Sequence, residues 1–455
     1  MIAWGTALNS LGEPDQQIFC VLGLIVISSL VRLEATVLIF RVLSVYSFLL
    51  LSVRGVWSEA AALSQTVSLS GHSSILIMLL LVRTFACLLV IPVIEQGRNT
   101  YLILCLIFIT VFSAKFFSAT SNVTLFINFE LSLIPIFLII LGWGYQTERL
   151  LAGKALFIYT AVGSVPLLIL IIYHLSFGGR ALITNYWALR NITLRVMFLP
   201  LVAFLVKLPL MGLHIWLPKA HVDAPVIGSM FLAAILLKLG GWGIIIYQGS
   251  FDGVALSAFC VALSILGVVW VSVICCQTLD RKTLIAFSSV IHIGFVVIGV
   301  VGGTNLSGDC ALAVLLRHGF SSSLAFYVVF LFYKLHNRRR LVLTKTLGSS
   351  RGVLRLLWLI TVIAVVGCPP AFNLWVEMIC YMVFLLNTSA LIKPIFFGAL
   401  TAGVYGFLLL GKIYSGSDFL FKSSSSPNQL ELGKGLLGAT LTVLSSVAII
   451  IIFSL

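Results

Sequence analysis

The chain has 455 residues, of which 60% are hydrophobic and 9% are charged, and its formal net charge is +14. A soluble domain carries roughly 25% charged residues, so this composition excludes a soluble enzyme, a nucleic-acid-binding protein and a secreted disulfide scaffold. The positive charge instead fits loops that fix the orientation of a membrane protein and face anionic lipid headgroups.

Apolar runs of membrane-spanning length recur along the whole chain. A helix needs ~20 apolar residues to cross about 30 Å of hydrocarbon, and about 14 such runs can be counted. The sequence therefore predicts an all-α polytopic membrane protein with about 14 transmembrane helices, short loops and no soluble domain. The predicted spans are 16–32, 35–53, 74–94, 100–118, 121–141, 155–176, 196–214, 225–247, 255–276, 284–302, 310–333, 353–388, 391–411 and 435–454.

Lysine and arginine are unevenly distributed between the loops of this predicted topology. They are more frequent after odd-numbered spans than after even-numbered ones. The positive-inside rule then predicts that both termini lie on the outer side of the membrane. It also places the basic cluster between Lys334 and Arg355 on the inner side, where we interpret it as a topology anchor.

Two of the predicted spans contain prolines that should interrupt them. Pro200 and Pro209 lie within 196–214, and Pro369-Pro370 lie within 353–388, which is too long for a single span. Proline removes a backbone donor and clashes with the preceding turn, so we expect two broken helices. Non-helical backbone at membrane depth is tolerated where it lines protein or water, which indicates a hydrated interior.

The segments that follow the two breaks resemble each other. His214-Ile215-Trp216-Leu217 follows the first, and Asn373-Leu374-Trp375-Val376 follows the second, 159 positions later. Five predicted spans separate them, and an odd number of spans inverts the second copy in the membrane. This arrangement is typical of transporters built from inverted repeats.

Four charged residues lie deep within predicted spans: Glu130, Lys207, Lys238 and Glu377. A charged side chain at mid-bilayer costs roughly 2.5–3.5 kcal/mol on insertion scales, so it persists where it faces a cavity, pairs or carries ions. Both lysines lie too deep for easy snorkelling to the interface. The proton affinity of a lysine responds to burial and to nearby charge, which suits a proton-transfer step.

Histidines in or near the spans extend this acid–base series. Histidine titrates near neutral pH and relays protons, so His214, His292 and His318 are candidate relay residues. Each could equally be a hydrogen-bonded interior residue. His221, in a predicted loop beside Asp223, is a weaker candidate.

Acidic and basic groups spread over several helices, together with hydrating breaks, predict a proton-conducting route. His214 follows Lys207 by seven positions, which would put both on one helix face if Pro209 did not disturb the helix. The same groups could in principle move sodium. However, a sodium site needs a cage of oxygen ligands, and two central lysines would oppose a cation.

Five segments resemble, in the same order, the motifs of the antiporter-like membrane subunits of mitochondrial NADH–ubiquinone oxidoreductase (respiratory complex I). They are GWGYQTERLLAGKALFIYTAVGSVPLLI (142–169), KLPLMGLHIWLPKAHVDAPVIGSMFLAAILLKLGGWG (207–243), LDRKTLIAFSSVIHIGF (279–295), RHGFSSSLAF (317–326) and CPPAFNLWVEM (368–378). The resemblance covers roughly residues 100–415. It does not extend to the N-terminal hundred residues.

The resemblance implies 14 helices with two inverted five-helix repeats. The repeats would occupy about 100–248 and 255–412, each forming a proton half-channel, with helices of 1–99 before them and a last helix in 413–455 after them. In the family, an intramembrane glutamate, a lysine on each of the seventh and eighth helices, connecting histidines and an acidic residue on the broken twelfth helix carry protons. Their counterparts here are Glu130, Lys207, Lys238, His292, His318 and Glu377.

Within the family, the glutamate at 377 and the modest length favour chain 4, because the sister chains 2 and 5 usually carry lysine at that position. One departure is Arg317, where the family usually has a small neutral residue. A fixed positive charge there would lower the proton affinity of His318 and puts its relay role in question.

The resemblance implies a proton-translocating subunit of the mitochondrial inner membrane. Protons would enter near Lys207, pass Lys238 and the histidines, and leave near Glu377, while Glu130 modulates Lys207. The chain shows no nucleotide, flavin or cluster motif, so NAD, FMN, iron–sulfur clusters and ubiquinone are expected in partner subunits. The expected partners are the other complex I subunits, especially chains 2 and 5, and membrane lipid, with no nucleic acid.

Two alternatives stay open at this point. One is a subunit of a multi-subunit cation/proton antiporter of related ancestry. The other is a structural membrane scaffold, which would have to explain four deep ionisable residues as packing.

Overall fold

The computed structural model describes only part of the chain. The described residues are 61–62, 68–69, 71–94, 99–144, 146–176, 194–248, 254–301, 307–336, 352–367, 372–385, 401 and 403–407. The predicted spans 16–32, 35–53 and 435–454 lie outside them, as do most of 391–411 and the pair Pro369-Pro370.

Helices make up nearly all of this described structure. The exception is one antiparallel pair of two-residue strands, β1 (Ala61–Ala62) and β2 (Ser68–Leu69). The α-helices are α1 (Gly71–Ile94), α2 (Asn99–Phe117), α3 (Asn122–Leu131), α4 (Leu133–Trp143), α5 (Arg149–Ser176), α6 (Leu194–Lys207), α7 (Trp216–Asp223), α8 (Val226–Phe231), α9 (Leu237–Ile246), α10 (Val254–Gln277), α11 (Arg281–Val301), α12 (Ser307–His336), α13 (Gly352–Val366) and α14 (Phe372–Leu385). A π-helix, Leu232–Leu236, joins α8 to α9.

The prediction of an all-α membrane fold is confirmed. Seven helical stretches among the described residues are long and apolar enough to cross a membrane. The described α-helices overlap the predicted spans from 74–94 to 353–388, except α7, which lies between the predicted spans 196–214 and 225–247. The total of 14 spans and the inverted relation of the two repeats stay predictions.

The described residues form two compact units. The first takes its residues from Met1–Gly142 and Val165–Ile192, and the second takes them from Trp143–Ser164 and Thr193–Leu455. In the first unit α2 packs against α1 and α3. Ser121 caps the N-terminus of α3 by accepting a hydrogen bond from the backbone N–H of Thr124 at 3.2 Å, which satisfies a donor that a helix leaves open.

In the second unit α12 is the central helix. It packs against α8, the π-helix, α9, α11, α13 and α14. In an 18-residue apolar window of the span Ser307–Lys334, 94% of the residues are buried, whereas the figure for the corresponding window of Arg149–Tyr173 is 39%. The exposed apolar helix α5 therefore faces lipid or other subunits, whereas α12 is shielded by protein.

The first predicted break is present in the second unit. Helix α6 ends at Lys207, the chain is non-helical from 208 to 215, and Gly212 takes a φ of +89°. The indole Nε1 of Trp216 donates to the carbonyl oxygen of Val206 at 3.0 Å, which satisfies an acceptor at the end of α6. Because the helix stops at Lys207, His214 and Lys207 do not share a helix face, and the disturbance expected at Pro209 is present.

The second predicted break is also present. Helix α13 ends at Val366, Gly367 takes a φ of +77°, and helix resumes at Phe372 in α14. A residue at positive φ commonly ends a helix, and glycine adopts that conformation without a steric cost. The chain from 353 to 388 is therefore two helices, as its length and prolines predict.

Glycines bring α9 close to its neighbours. A Cβ atom on Gly240 would lie 3.0 Å from the backbone of α6, at the carbonyl oxygen of Phe204, and one on Gly243 would lie 2.2 Å from the Phe204 ring. On another face, a Cβ on Gly241 would lie 2.5 Å from Leu315 of α12. Small residues at such contacts let transmembrane helices approach closely.

Candidate functional site

Lys238 lies near the start of α9 and is fully enclosed by protein. Its Nζ donates to the carbonyl oxygen of Ala233 at 2.7 Å and lies 2.9 Å from Nδ1 of His318 on α12. Ala233 belongs to the π-helix, a type of irregularity that frequently occurs at functional sites. When the lysine is protonated it donates to His318, so a proton can pass directly between these two groups.

His318 and His292 are the next neighbours along this series. Their ring centroids lie 6.4 Å apart, with His292 on α11. The Nε2 atom of His318 is buried and has no hydrogen-bond partner among the described residues. This separation exceeds a direct hydrogen bond, and one bridging water molecule or a small ring rotation would close it.

His292, Arg317 and Glu377 form a buried cluster from three helices, α11, α12 and α14. Nδ1 of His292 lies 2.9 Å from Oε1 of Glu377 and 2.8 Å from Nη2 of Arg317. Arg317 also donates to Oε1 of Glu377 and forms an ion pair with it. Because all three side chains are buried, this charge pairing offsets a desolvation penalty of several kcal/mol per ion.

Two tyrosines border the cluster. The hydroxyl of Tyr405 lies 3.4 Å from Nε2 of His292, and the Tyr381 ring packs edge-on against Phe295 of α11. Tyr381 is also close enough to interact electrostatically with Glu377. A tyrosine hydroxyl can both donate and accept a hydrogen bond, so Tyr405 adds such a group beside His292.

Helix α6 contributes a second buried lysine. Lys207 is 1% exposed at the end of α6, the helix that α9 contacts at Gly240 and Gly243. His214 lies in the non-helical segment, buried and edge-on to Phe287 at 6.3 Å. The break thus places Lys207 next to backbone that is not committed to a helix ladder, where polar groups can take part in hydration.

Glu130 lies in the first unit, near the end of α3, and is partly buried. The helix is interrupted at Ser132, whose backbone N–H donates to the carbonyl oxygens of Asn128 and Glu130. The expected action of Glu130 on Lys207 would join the two units and stays a prediction.

His221 and Lys282 join the same interior, and sequence reasoning undervalued both. His221 is fully buried and stacks on Phe326 of α12 at 4.6 Å. Nζ of Lys282 donates to the carbonyl oxygens of Val222 at 3.2 Å and Ala224 at 2.7 Å. A cation at a helix C-terminus satisfies open carbonyls and complements the helix dipole, so Lys282 holds α7 against α11.

Arg281, the neighbour of Lys282, is buried too. Its guanidinium lies over the Phe332 ring of α12, with Cζ 4.5 Å from the centroid. The adjacent basic pair lies just before the predicted span 284–302 and would ordinarily be assigned to the membrane interface. The only sequence signal for an interior role was its place in the segment 279–295 that carries the family resemblance.

Taken together, the structure aligns four predicted site residues across the second unit. Lys238 contacts His318, His318 neighbours His292, and His292 contacts Glu377. Three of the four are bases or imidazoles and the last is a carboxylate. The arrangement offers proton donors and acceptors in sequence through the interior of a membrane protein.

Comparison with known proteins identifies the family. The family model described as NADH:quinone oxidoreductase/Mrp antiporter, TM, matches residues 119–402. The chain belongs to this family. The match includes every predicted site residue from Glu130 to Glu377 and confirms a multi-pass membrane protein with the antiporter-like fold.

Relatives within the NADH:quinone oxidoreductase/Mrp antiporter family confirm the resemblance to chain 4. The NADH-ubiquinone oxidoreductase chain 4 of Artemia franciscana is 40% identical over 265 residues, which cover 58% of this chain and 67% of that protein. The chain 4 of Branchiostoma floridae is 37% identical over 320 residues, 68% of this chain and 69% of that one. The chain 4 of Struthio camelus is 39% identical over 288 residues, which cover 60% of this chain and 61% of that protein.

Solved structures share the fold over nearly the whole chain. A chain of respiratory complex I from Thermus thermophilus with bound NADH superposes with a TM-score of 0.79 at 22% identity and covers 94% of both chains. A chain of the membrane-bound sulfane sulfur reductase, an archaeal respiratory membrane complex, superposes with a TM-score of 0.81 at 17% identity, over 94% of this chain and 93% of that one.

Proposed function

We propose that this chain is a proton-translocating membrane-arm subunit of respiratory complex I in the mitochondrial inner membrane. The proposal rests on the family, on relatives named NADH-ubiquinone oxidoreductase chain 4 and on the buried acid–base series. The chain would move protons while partner subunits oxidise NADH and reduce ubiquinone, holding NAD, FMN, iron–sulfur clusters and the quinone. Sister chains 2 and 5 and membrane lipid would be its neighbours.

The observation that carries the proposal is the series from Lys238 to Glu377. It contains two direct contacts of 2.9 Å and one gap between imidazoles, all inside the second unit. Protons would enter near Lys207, where α6 is broken, and reach Lys238 on the adjoining α9. Glu130, from the first half of the chain, would modulate the proton affinity of Lys207. His214 would relay protons where they enter near Lys207.

Coupling to the redox subunits would act on the charge of these groups. An opposite charge that approaches a lysine strengthens its hold on the proton, and one that withdraws weakens it. Since Lys238 contacts His318 directly, a change in its protonation alters what His318 donates or accepts. A field change that arrives at one end of the series can thus move protons along it.

Replacing Lys238 by methionine tests the proposal. Lys238→Met keeps the length of the side chain and removes the ammonium that contacts His318. We expect NADH-driven proton pumping by the assembled complex in membrane vesicles to fall more than tenfold, because a barrier increase of about 1.4 kcal/mol already gives a tenfold effect. Quinone reduction should fall with it.

The matched control is Lys219→Met. Lys219 is exposed on α7, so its loss removes one positive charge without changing the interior series. Pumping by this variant should match the wild type. Normal pumping by an assembled Lys238→Met complex would refute the proposed route.

A cation/proton antiporter is the second candidate, because the family itself includes Mrp antiporters. The 37–40% identity to chain 4 proteins favours complex I over this reading. Copurification discriminates between them. Subunits with flavin and iron–sulfur clusters are expected to accompany the chain, whereas antiporter subunits alone would overturn the complex I assignment.

A further inference from the structure

The cluster of His292, Arg317 and Glu377 contains a hydrogen-bond conflict. Nη2 of Arg317 and Oε1 of Glu377 both lie within 3 Å of the same ring atom, Nδ1 of His292. A guanidinium only donates hydrogen bonds, and an ionised carboxylate only accepts them. Nδ1 therefore accepts from Arg317 when it carries no proton and donates to Glu377 when it carries one.

Nδ1 can therefore form only one of these two hydrogen bonds at a time, which gives two arrangements. In the first, Nδ1 is bare and accepts from Arg317, and the ring proton is on Nε2, which faces the Tyr405 hydroxyl at 3.4 Å. In the second, Nδ1 carries a proton and donates to Glu377, and Arg317 retains its bond to the carboxylate alone. Arg317 is bonded to Glu377 in both.

We propose that Arg317 is a positioning residue that keeps Glu377 ionised and competes with it for Nδ1 of His292. The mobile proton at this end of the series then resides on His292, and Glu377 is the anion that draws it there without carrying it. This inference deepens the proposed function and rests on it. It also gives Arg317, which the sequence shows only as a departure from the family pattern, a specific partner.

The surroundings of Glu377 support this assignment of charge. His292 faces the carboxylate from α11, Arg317 from α12, and Cys380 and Tyr381 lie on its own helix, α14. Tyr405 reaches the cluster through His292. Arg317 supplies the positive charge of its guanidinium, which donates hydrogen bonds and accepts none.

Burial strengthens the argument. A neutral carboxyl at Glu377 would leave the guanidinium of Arg317 buried without the charge of its counter-ion, and an uncompensated buried charge is strongly unfavourable. A proton that arrives at Nδ1 of His292 instead leaves the Arg317–Glu377 pair intact. It replaces one hydrogen bond to that nitrogen by another.

Infrared difference spectra of the assembled complex in membrane vesicles, resting against turning over NADH, test the inference. A protonated carboxyl gives a C=O band that a carboxylate lacks, and Glu377→Gln identifies the contribution of this residue. We expect no band in the wild type that Glu377→Gln removes. A band of that kind during turnover would overturn the inference.

Variants of Arg317 supply the converse test. Arg317→Met should produce a protonated-carboxyl band that disappears in Arg317→Met/Glu377→Gln, and Arg317→Lys, which keeps the charge, should suppress it. Absence of the band in an assembled Arg317→Met complex would also overturn the inference. If Arg317→Met does not assemble, the wild type compared with Glu377→Gln decides the matter by itself.

The outcome separates the two proposals. Lys154→Met, which removes one exposed positive charge, serves as the control and should leave the infrared spectrum unchanged. If Lys238→Met pumps normally, the proposed route fails whatever the spectra show. If Lys238→Met stops pumping and the wild type shows the Glu377 band, the route stands and the role of Arg317 is refuted.

Discussion

The contact between α9 and α6 at Gly243 offers a direct test of how closely these helices must pack. A Cβ atom at Gly243 would lie 2.2 Å from two ring carbons of Phe204 and 2.6 Å from a third. Phe204 is fully buried, and its ring packs against Tyr247 with centroids 5.5 Å apart, so the ring has little space to withdraw. Gly243→Ala should therefore push the two helices apart.

The required displacement follows from the distances. Ordinary contact begins at 3.4 Å, so the Cβ and the ring must separate by about 1.2 Å more than the present backbone allows. Overpacking of this kind costs about 1–3 kcal/mol. Because α6 carries Lys207 and α9 carries Lys238, the same displacement alters the spacing of the two lysines.

We expect Gly243→Ala to lower the thermal stability of the assembled complex and to reduce its proton pumping. NADH oxidation by the redox arm, assayed in isolation, should stay normal. Native gel electrophoresis and vesicle pumping assays measure both effects. Gly142→Ala is the matched control, since a Cβ there meets nothing within 4 Å. Wild-type stability and pumping in Gly243→Ala would refute the reasoning that this contact sets the separation of the helices.

Two further predictions concern the break between α6 and α7. Lys282→Met removes hydrogen bonds worth about 1.5–3 kcal/mol each from the end of α7, so the complex should lose heat stability, measured as residual activity after heating. Lys154→Met, the control, should not lose it. Equal stability of the two variants would argue that Lys282 does not cap α7. Gly212→Ala places a side chain at a φ of +89°, which costs about 1–2 kcal/mol although a Cβ there meets no atom within 4 Å. A matching loss of stability in Gly142→Ala would show that backbone conformation is not the cause.

The helices could largely be predicted from the sequence because hydrocarbon thickness dictates their length. The runs around Arg281–Val301 and Ser307–Lys334 are apolar enough to identify as spans without any knowledge of their neighbours. The breaks were predictable too, since Pro209 marks the first, and an excessive length marks the second. The π-helix at Leu232–Leu236 had no such signal, because its residues are ordinary helix formers.

The site was predictable only as a set of residues. Insertion cost singles out Lys238 and Glu377 by their depth, and in the structure Lys238 contacts His318 and Glu377 contacts His292. The partners of Arg317 were not predictable. Its neighbour in sequence is His318, but on a helix successive side chains point in different directions, and the guanidinium reaches Glu377 and His292 instead.

His221 and Lys282 show a related limit. By the predicted spans both lie in loops, where polar residues need no explanation, and both are buried where α7 packs against α11. Sequence separation hides such contacts, because Lys282 binds carbonyl groups about 60 positions earlier in the chain.

The helix that carries Arg317 and His318 is also the one with little access to lipid. Only a small share of the span Ser307–Lys334 is exposed, because α11, α13 and α14 and their neighbours surround α12. A detergent or hydrophobic inhibitor dissolved in the bilayer would reach these side chains only after displacing a surrounding helix. Such compounds should therefore act on transport through helix position, with slow onset, and not by direct competition for the charged groups.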